Sequence, residues 1–182
     1  MNKQRLINLL EEYNPSNLRE KECKLQILDF LNNNDNFTGR DNVKGHITGA
    51  AWIVSKDRKK VLLTHHLKLN MWLQIGGHIE GDEDILETAL REAKEESGLS
   101  TLKCLSEEIF DIDVHVFPRK GEVEEHLHLD FRFIFEADEE EELKRQKSES
   151  KDMKWIALDE VSKYSKEDTV IRMTNKLAFN NL

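Results

Sequence analysis

Residues Gly77 to Leu99 read GHIEGDEDILETALREAKEESGL, and this stretch decides the fold. Asp84 to Ser97 has the pattern of a helix. Ile85, Leu86, Ala89, Leu90 and Ala93 recur at the spacing that lines one helical face. Asp82, Glu83 and Asp84 stand at its start, where the helix dipole favours negative charge, and Gly98 fits its stop. On the polar side, Glu92, Glu95 and Glu96 sit at i, i+3 and i+4 and so share one surface. Like charges at that spacing destabilise a helix unless something positive lies against them. One solution is a solvated acidic face balanced by Arg91 and Lys94. The other is a hard divalent cation, which prefers a few carboxylates together with phosphate oxygens and water. The Gly76-Gly77 turn ahead of the helix, with Glu83 at a set offset, favours the second.

Outward from this helix, two textures appear. Met1 to about Asn36 has leucine and isoleucine at helical spacing, interrupted at Asn14-Pro15-Ser16. Ser16 is the expected cap of a second helix, and Asn32 to Asn36 ends it as a polar turn. From His46 the chain turns to strands: His46 to Ser55, Lys60 to His65, and a short piece from Trp72 to Ile75. Leu102 to Phe117 and Glu125 to Glu136 read as further strands. The second alternates cleanly, with Leu127, Leu129, Phe131, Phe133 and Phe135 on one face and His126, His128, Asp130, Arg132 and Ile134 on the other. Asp138 to Ser150 is a charge run expected to be a solvated loop or helix. Met153 to Ala157 is a last strand, and Leu158 to Tyr164 and Lys166 to Phe179 are closing helices. Strands and helices mixed around one core predict an α/β protein with helix–sheet–helix layers.

At 182 residues the chain has about the size of one domain with an appendage. No apolar run is long enough to span a bilayer. The N-terminus carries acidic residues and lacks the core of a secretory signal, so the expected compartment is the cytoplasm. Cys23 and Cys104 form no spacing pattern and are expected to be buried thiols. A net charge of −9 argues against a broad nucleic-acid-binding face. A small anionic substrate remains compatible, because a metal ion reverses the local sign of an acidic site.

The spacing Gly77-x5-Glu83-x7-Arg91-Glu92-Ala93-x-Glu95-Glu96-x-Gly98-Leu99 resembles the complete box of the Nudix family (MutT-like hydrolases). VLLTHHLKLNMWLQIGGHIEG looks like the strand–loop–strand entry to the Nudix helix, and Asp152 to Trp155 followed by Leu158 to Glu160 looks like the family's last strand and helix. The likeness runs from about His46 to Tyr164. It implies an α/β/α sandwich with a mixed sheet over residues 41–182, with residues 1–40 as an N-terminal helical extension. It also implies hydrolysis of a diphosphate linkage in a nucleoside diphosphate joined to another moiety. By the same resemblance, Glu92, Glu95 and Glu96 would hold Mg²⁺ or Mn²⁺, with a carbonyl oxygen of Gly76 or Gly77 as a further ligand. Arg91 would pair with box carboxylates, Glu83 among them. The general base would be Glu92 or, from the downstream loop, Glu149, whose alternative is a surface residue in a charge run.

Residues expected to face the substrate are His66 and Lys68, ahead of the glycine turn, and His128, Asp130 and Arg132, on the polar side of the alternating strand. His65 belongs with the first pair, and Trp72 is expected in the core. Two histidines on one strand also raise metal binding, set below a polar pocket wall because the box already offers oxygen ligands. Gln74-Ile75 precedes the glycines where relatives commonly have Phe-Pro or Leu-Pro, so the chain resembles a Nudix subgroup without an assigned substrate. Besides a hydrolase, two readings stand on the same fold: a non-catalytic nucleotide-binding sensor, which usually has a degenerate box, and an isopentenyl-diphosphate-isomerase-like enzyme, for which no cysteine stands in the right context. The N-terminal helices could form a homodimer, cap the pocket or pack on the sandwich.

Overall fold

The computed structural model describes residues 1–119, 121 and 124–180, with side chains up to residue 177 in the last helix. Residues 181–182, at the end of the expected Nudix domain, lie outside the described residues. The chain opens with α1 (Lys3–Glu12) and α2 (Leu18–Asn33). The cap of α2 is Asn17, whose side chain accepts from the Glu20 backbone N–H at 2.9 Å. Ser16, the residue expected there, instead gives its N–H and hydroxyl to the Glu20 carboxylate at 2.9 and 2.8 Å. The two helices do not form a separate body: Leu6, Leu10, Cys23, Ile27 and Leu31 are fully buried in one core with Ile47, Ile53, Leu62, Phe131 and Phe133 of the sheet.

The sheet has eight strands among the described residues: β1 (Gly45–Ser55), β2 (Lys60–His66), β3 (Trp72–Leu73), β4 (Ile75–His78), β5 (Lys103–Cys104), β6 (Asp111–Phe117), β7 (His126–Ala137) and β8 (Ser150–Ala157). Between β4 and β5 runs α3 (Ile85–Ser97), and after β8 come a 3-10 turn (Leu158–Glu160), α4 (Val161–Tyr164) and α5 (Asp168–Asn180). β1 and β7 pair in parallel over their whole shared length, from Gly45 opposite Leu127 to Ser55 opposite Ala137. All other pairings are antiparallel, so the sheet is mixed.

One face of the sheet carries α1, α2 and α3. The other buries Trp52, Val54, Ile134 and Ile156 against Val161, Val170 and Met173 of α4 and α5. This is the expected α/β class, a sheet between helical layers. The stretch Leu102–Phe117, expected as one strand, is broken into β5 and β6. In the intervening loop the Ser106 hydroxyl accepts from the Glu108 N–H while Ile109 is buried. Among the described residues no helix is long and apolar enough to cross a membrane. Both cysteines are free, Cys23 buried and Cys104 half-buried.

One irregularity creates the site. On the edge away from β7, β1 pairs with β4 from Thr48 to Ala51 and then with β2 at Ile53 and Val54. Two strands sharing one edge of β1 must diverge, and a cleft lies where they part.

Candidate active site

The cleft has a volume of about 300 Å³. Glu92, Glu95 and Glu96 of α3 and Glu149 of the loop before β8 form an acidic side. His66 ends β2 and Lys68 follows it, and His128 and Asp130 of β7 also line the space. Two other hollows, of about 390 and 970 Å³, involve Lys176 and Arg172, but these cations are already paired with Glu20 and Asp111.

The acidic side is built from α3 outward. Asp84 caps the helix through a 2.8 Å bond from the Leu86 N–H, and Glu87 reaches back to the Asp84 N–H at 3.0 Å. Gly98 ends it at φ 73°, a conformation that glycine adopts without steric cost. The last turn of a helix leaves carbonyls without partners. Here the charge-rich loop supplies them: Gln146 N–H donates to the Glu96 carbonyl at 3.0 Å and Lys144 N–H to that of Ser97 at 2.7 Å. The loop is thereby pinned to the helix rather than merely solvated. Its Glu149 carbonyl accepts from Leu67 N–H at 2.8 Å, holding that residue beside the end of β2.

Arg91 organises the carboxylates. Its Nε donates to Glu83 at 2.9 Å, and one terminal nitrogen donates to Glu92 and Glu95 at 3.0 Å each. The other terminal nitrogen donates to the His78 carbonyl at 2.8 Å. Arg91 thus ties α3 to β4. At Gly77 a Cβ would overlap the Glu92 carboxylate, so only glycine lets that side chain lie against the strand.

Glu96 is 5% exposed, and its carboxyl is pushed up to about 8. Burial is the main cause. The charges of Glu92 and Glu149 add to it, and a bond from the Gly76 backbone works against it. Glu92 is also raised, first by burial and then by Glu95 and Glu80, against the lowering effect of Arg91. Buried carboxylates that repel one another and have all-oxygen chemistry fit a hard divalent cation. The three box carboxylates do not close into one tight cage. Among the described residues, the set of three that brings its ligand atoms within 4.8 Å of one another is His46, His78 and His128. Mg²⁺ tolerates the looser arrangement, since it is usually held by one or two carboxylates and completes its shell with water and phosphate oxygens.

Glu92, Glu95, Glu96, Glu149, Arg91, Gly77, His66, Lys68, His128 and Asp130 therefore meet in one cleft. Arg132, expected to face a ligand, does not. It is 1% exposed, with Nε 2.7 Å from Asp130 and a terminal nitrogen 3.1 Å from Asp111. A guanidinium this enclosed holds Asp130 in place and is not part of the cleft lining. His65 stacks on Trp72, with ring centroids 5.1 Å apart, and lies outside the cleft lining. Trp72 is half-buried and packs against the core on the α4–α5 side.

Sequence reasoning missed Thr48 and Gln74, which donate to the two Asp130 oxygens at 3.0 and 3.4 Å. It also missed His46, His78 and His115. A signal for His115 was present: Asp111, Asp113 and His115 alternate on β6 as the polar residues do on β7, and the two rows pair directly.

A profile of the NUDIX domain matches residues 45–176. A probable DHNTP pyrophosphohydrolase of Lactococcus lactis subsp. cremoris is 30% identical over 138 residues, covering 75% of this chain and 80% of that protein. The m7GpppN-mRNA hydrolase NUDT17 of Xenopus laevis is 44% identical over 61 residues, 31% of this chain and only 21% of that protein's length. Among solved structures, a NUDIX-family hydrolase from Clostridium perfringens is 29% identical with a TM-score of 0.56, covering 73% of this chain and 96% of its own. An Ap4A hydrolase of C. elegans, in a binary complex, has a TM-score of 0.58 at 19% identity over 72% of this chain and 94% of its own, a likeness of fold alone. With the profile and the bacterial relative both spanning most of its length, the chain belongs to the Nudix hydrolase family.

Proposed function

We propose that the protein hydrolyses a diphosphate linkage in a nucleoside diphosphate joined to another moiety, using Mg²⁺ or Mn²⁺ held by Glu92, Glu95 and Glu96. The observation that carries this reading is the buried Glu96 carboxyl, raised by burial and by Glu92 and Glu149, in a cleft that also holds Lys68 and His66. The likeness to a probable DHNTP pyrophosphohydrolase supports the same bond. When bound, the cation neutralises diphosphate oxygens and acidifies a water molecule.

The chain's own residues supply the rest. The Glu149 carboxylate has no hydrogen-bond or ion-pair partner among the described residues, whereas that of Glu92 is engaged by Arg91 at 3.0 Å. Glu149 is therefore the better general base: it accepts the proton of the attacking water as that oxygen joins phosphorus and the bond to the bridging oxygen breaks. Lys68 supplies a positive charge for the non-reacting phosphate. The His66 Nδ1 accepts from the backbone N–H of Lys68 and Leu69 at 3.2 Å each, so the neutral ring carries its proton on Nε2, as a donor. Asp130, fixed by Thr48, Gln74 and Arg132, positions Gln74 at the cleft wall. The net charge of −9 and the small cleft suit a free nucleotide derivative in the cytoplasm rather than a nucleic-acid surface.

The test is a panel of nucleoside diphosphate derivatives, with DHNTP and Ap4A among them, assayed for monophosphate, phosphate or pyrophosphate release. Release that stops with EDTA and returns with Mg²⁺ is expected. Tight binding without turnover on the whole panel would favour a nucleotide-binding sensor instead.

A further inference from the structure

Beside the carboxylate wall lies a second concentration of ligand-type side chains. His46 on β1 stands directly opposite His128 on β7, and His78 on β4 stands opposite Thr48, two residues along β1 from His46. Three strands thus turn imidazoles to the same face. Ring centroids are 4.8 Å apart for His46–His78, 4.8 Å for His46–His128 and 5.3 Å for His78–His128. One nitrogen from each ring lies within 4.8 Å of the other two.

His46 is 1% exposed, and among the described residues neither of its ring nitrogens has a hydrogen-bond partner. Burying a polar group without a partner costs on the order of 1–3 kcal/mol, so an imidazole left this way calls for a ligand. Leucine or phenylalanine would fill a merely structural position without that cost.

We propose that His46, His78 and His128 form a binding site for a borderline transition cation of the Zn²⁺/Co²⁺ class, distinct from the oxygen-ligand site of Glu92, Glu95 and Glu96. Neutral imidazole suits such ions, whereas Mg²⁺ prefers oxygen. Three histidines leave one tetrahedral position unfilled. His78 and His128 line the cleft, so that position opens toward it.

His126 adds a neighbouring donor. Its Nδ1 donates to the Glu124 carbonyl at 2.8 Å, which leaves Nε2 unprotonated in the neutral ring, 3.2 Å from Nε2 of His128. That spacing is close to that of two nitrogens on one tetrahedral ion, whose metal–nitrogen bonds are about 2.0–2.1 Å. A carbonyl that fixes the outer nitrogen of a histidine is a recurrent support of metal-ligating rings.

Metal-stripped protein titrated with Co²⁺ tests the site through its visible absorption. The expected result is one equivalent of tightly bound Co²⁺ with the intense band of a tetrahedral, nitrogen-ligated ion, unmoved by excess Mg²⁺. His78→Asn and His128→Asn each weaken binding by at least about tenfold, and the double variant Glu95→Gln/Glu96→Gln keeps the band. No uptake, a weak octahedral spectrum, displacement by Mg²⁺, or a band that survives both histidine variants would overturn the proposal. Should a variant fail to fold, the wild-type competition with Mg²⁺ decides alone. None of these outcomes depends on turnover, so the diphosphatase reading stands or falls separately.

Discussion

Arg91 directs its guanidinium nitrogens into the wall of the cleft, to Glu83, Glu92, Glu95 and the His78 carbonyl. A planar fork can serve these partners together, whereas a lysine ammonium on a flexible stem cannot hold the same geometry. Arg91→Ala leaves Glu83, Glu92 and Glu95 without their cation. Activity is expected to fall by about 10–100-fold, the usual cost of losing a group that orients metal ligands. Arg91→Lys should recover little of it. The check is kcat/KM on whichever panel substrate is turned over, beside thermal melts that separate lost activity from lost fold. Full activity in the lysine variant would show that charge alone suffices there. At this scale the acidic face and its arginine were legible, because helical spacing alone places Glu92, Glu95 and Glu96 together. The burial of Arg132 was not: alternation tells which face a residue takes and says nothing of Asp111 and Asp113, which arrive from another strand.

The helix α3 carries the wall, and its start is set by Asp84 and Glu87, each bonded to the other's neighbourhood at 2.8 and 3.0 Å. Arg5 of α1 reaches the same Asp84 carboxylate at 2.5 Å. Asp84→Ala removes the cap and should cost about 1 kcal/mol. That corresponds to a fall in Tm of about 2–4 °C for a chain this long. An unchanged Tm would mean that packing alone holds the first turn. Helix α3 could be read from the sequence because cap, apolar stripe and terminal glycine are all local signals. The partner change of β1 could not, since strand pairing brings together residues far apart in the chain. For the same reason His46 and His78, each single in its own strand, became a cluster only through register. Leu102–Phe117 read as one strand because its apolar content does not mark where the backbone leaves the sheet.

Across the whole molecule, a buried charge network joins α2 and α5 to the sheet. Glu20 of α2 accepts from the Tyr13 hydroxyl at 2.6 Å and pairs with Lys176 at 3.0 Å, while Arg172 and Lys176 reach Asp111 at 2.7 and 2.8 Å. Burial by itself would raise Glu20, but bonds from Tyr13, Ser16 and Lys176 outweigh it and bring the carboxyl down to about 2. A carboxylate lowered on folding stabilises the protein above its unfolded pKa, and that stability fades as pH falls through the folded value. Here the window runs from 4.5 down to about 2, and the contribution at neutral pH is on the order of 3 kcal/mol. Urea unfolding should therefore find wild type more stable than Glu20→Gln at pH 7, with the gap closing in acid. A gap independent of pH would assign Glu20 a packing role only. The network also ties α2 and the turn before it to β6 and α5, which a polar turn and a change of texture in the sequence did not reveal.

Diphosphate hydrolysis is assigned to the carboxylate wall, and Glu96 is its most enclosed member. Hydrolysis by wild type and by Glu96→Gln should be compared on the most active panel substrate at saturating Mg²⁺, with folding of both verified. A fall in kcat/KM of at least about a hundredfold is expected, since a lost ligand should cost no less than a lost support of one. Equal rates in the two proteins would contradict it.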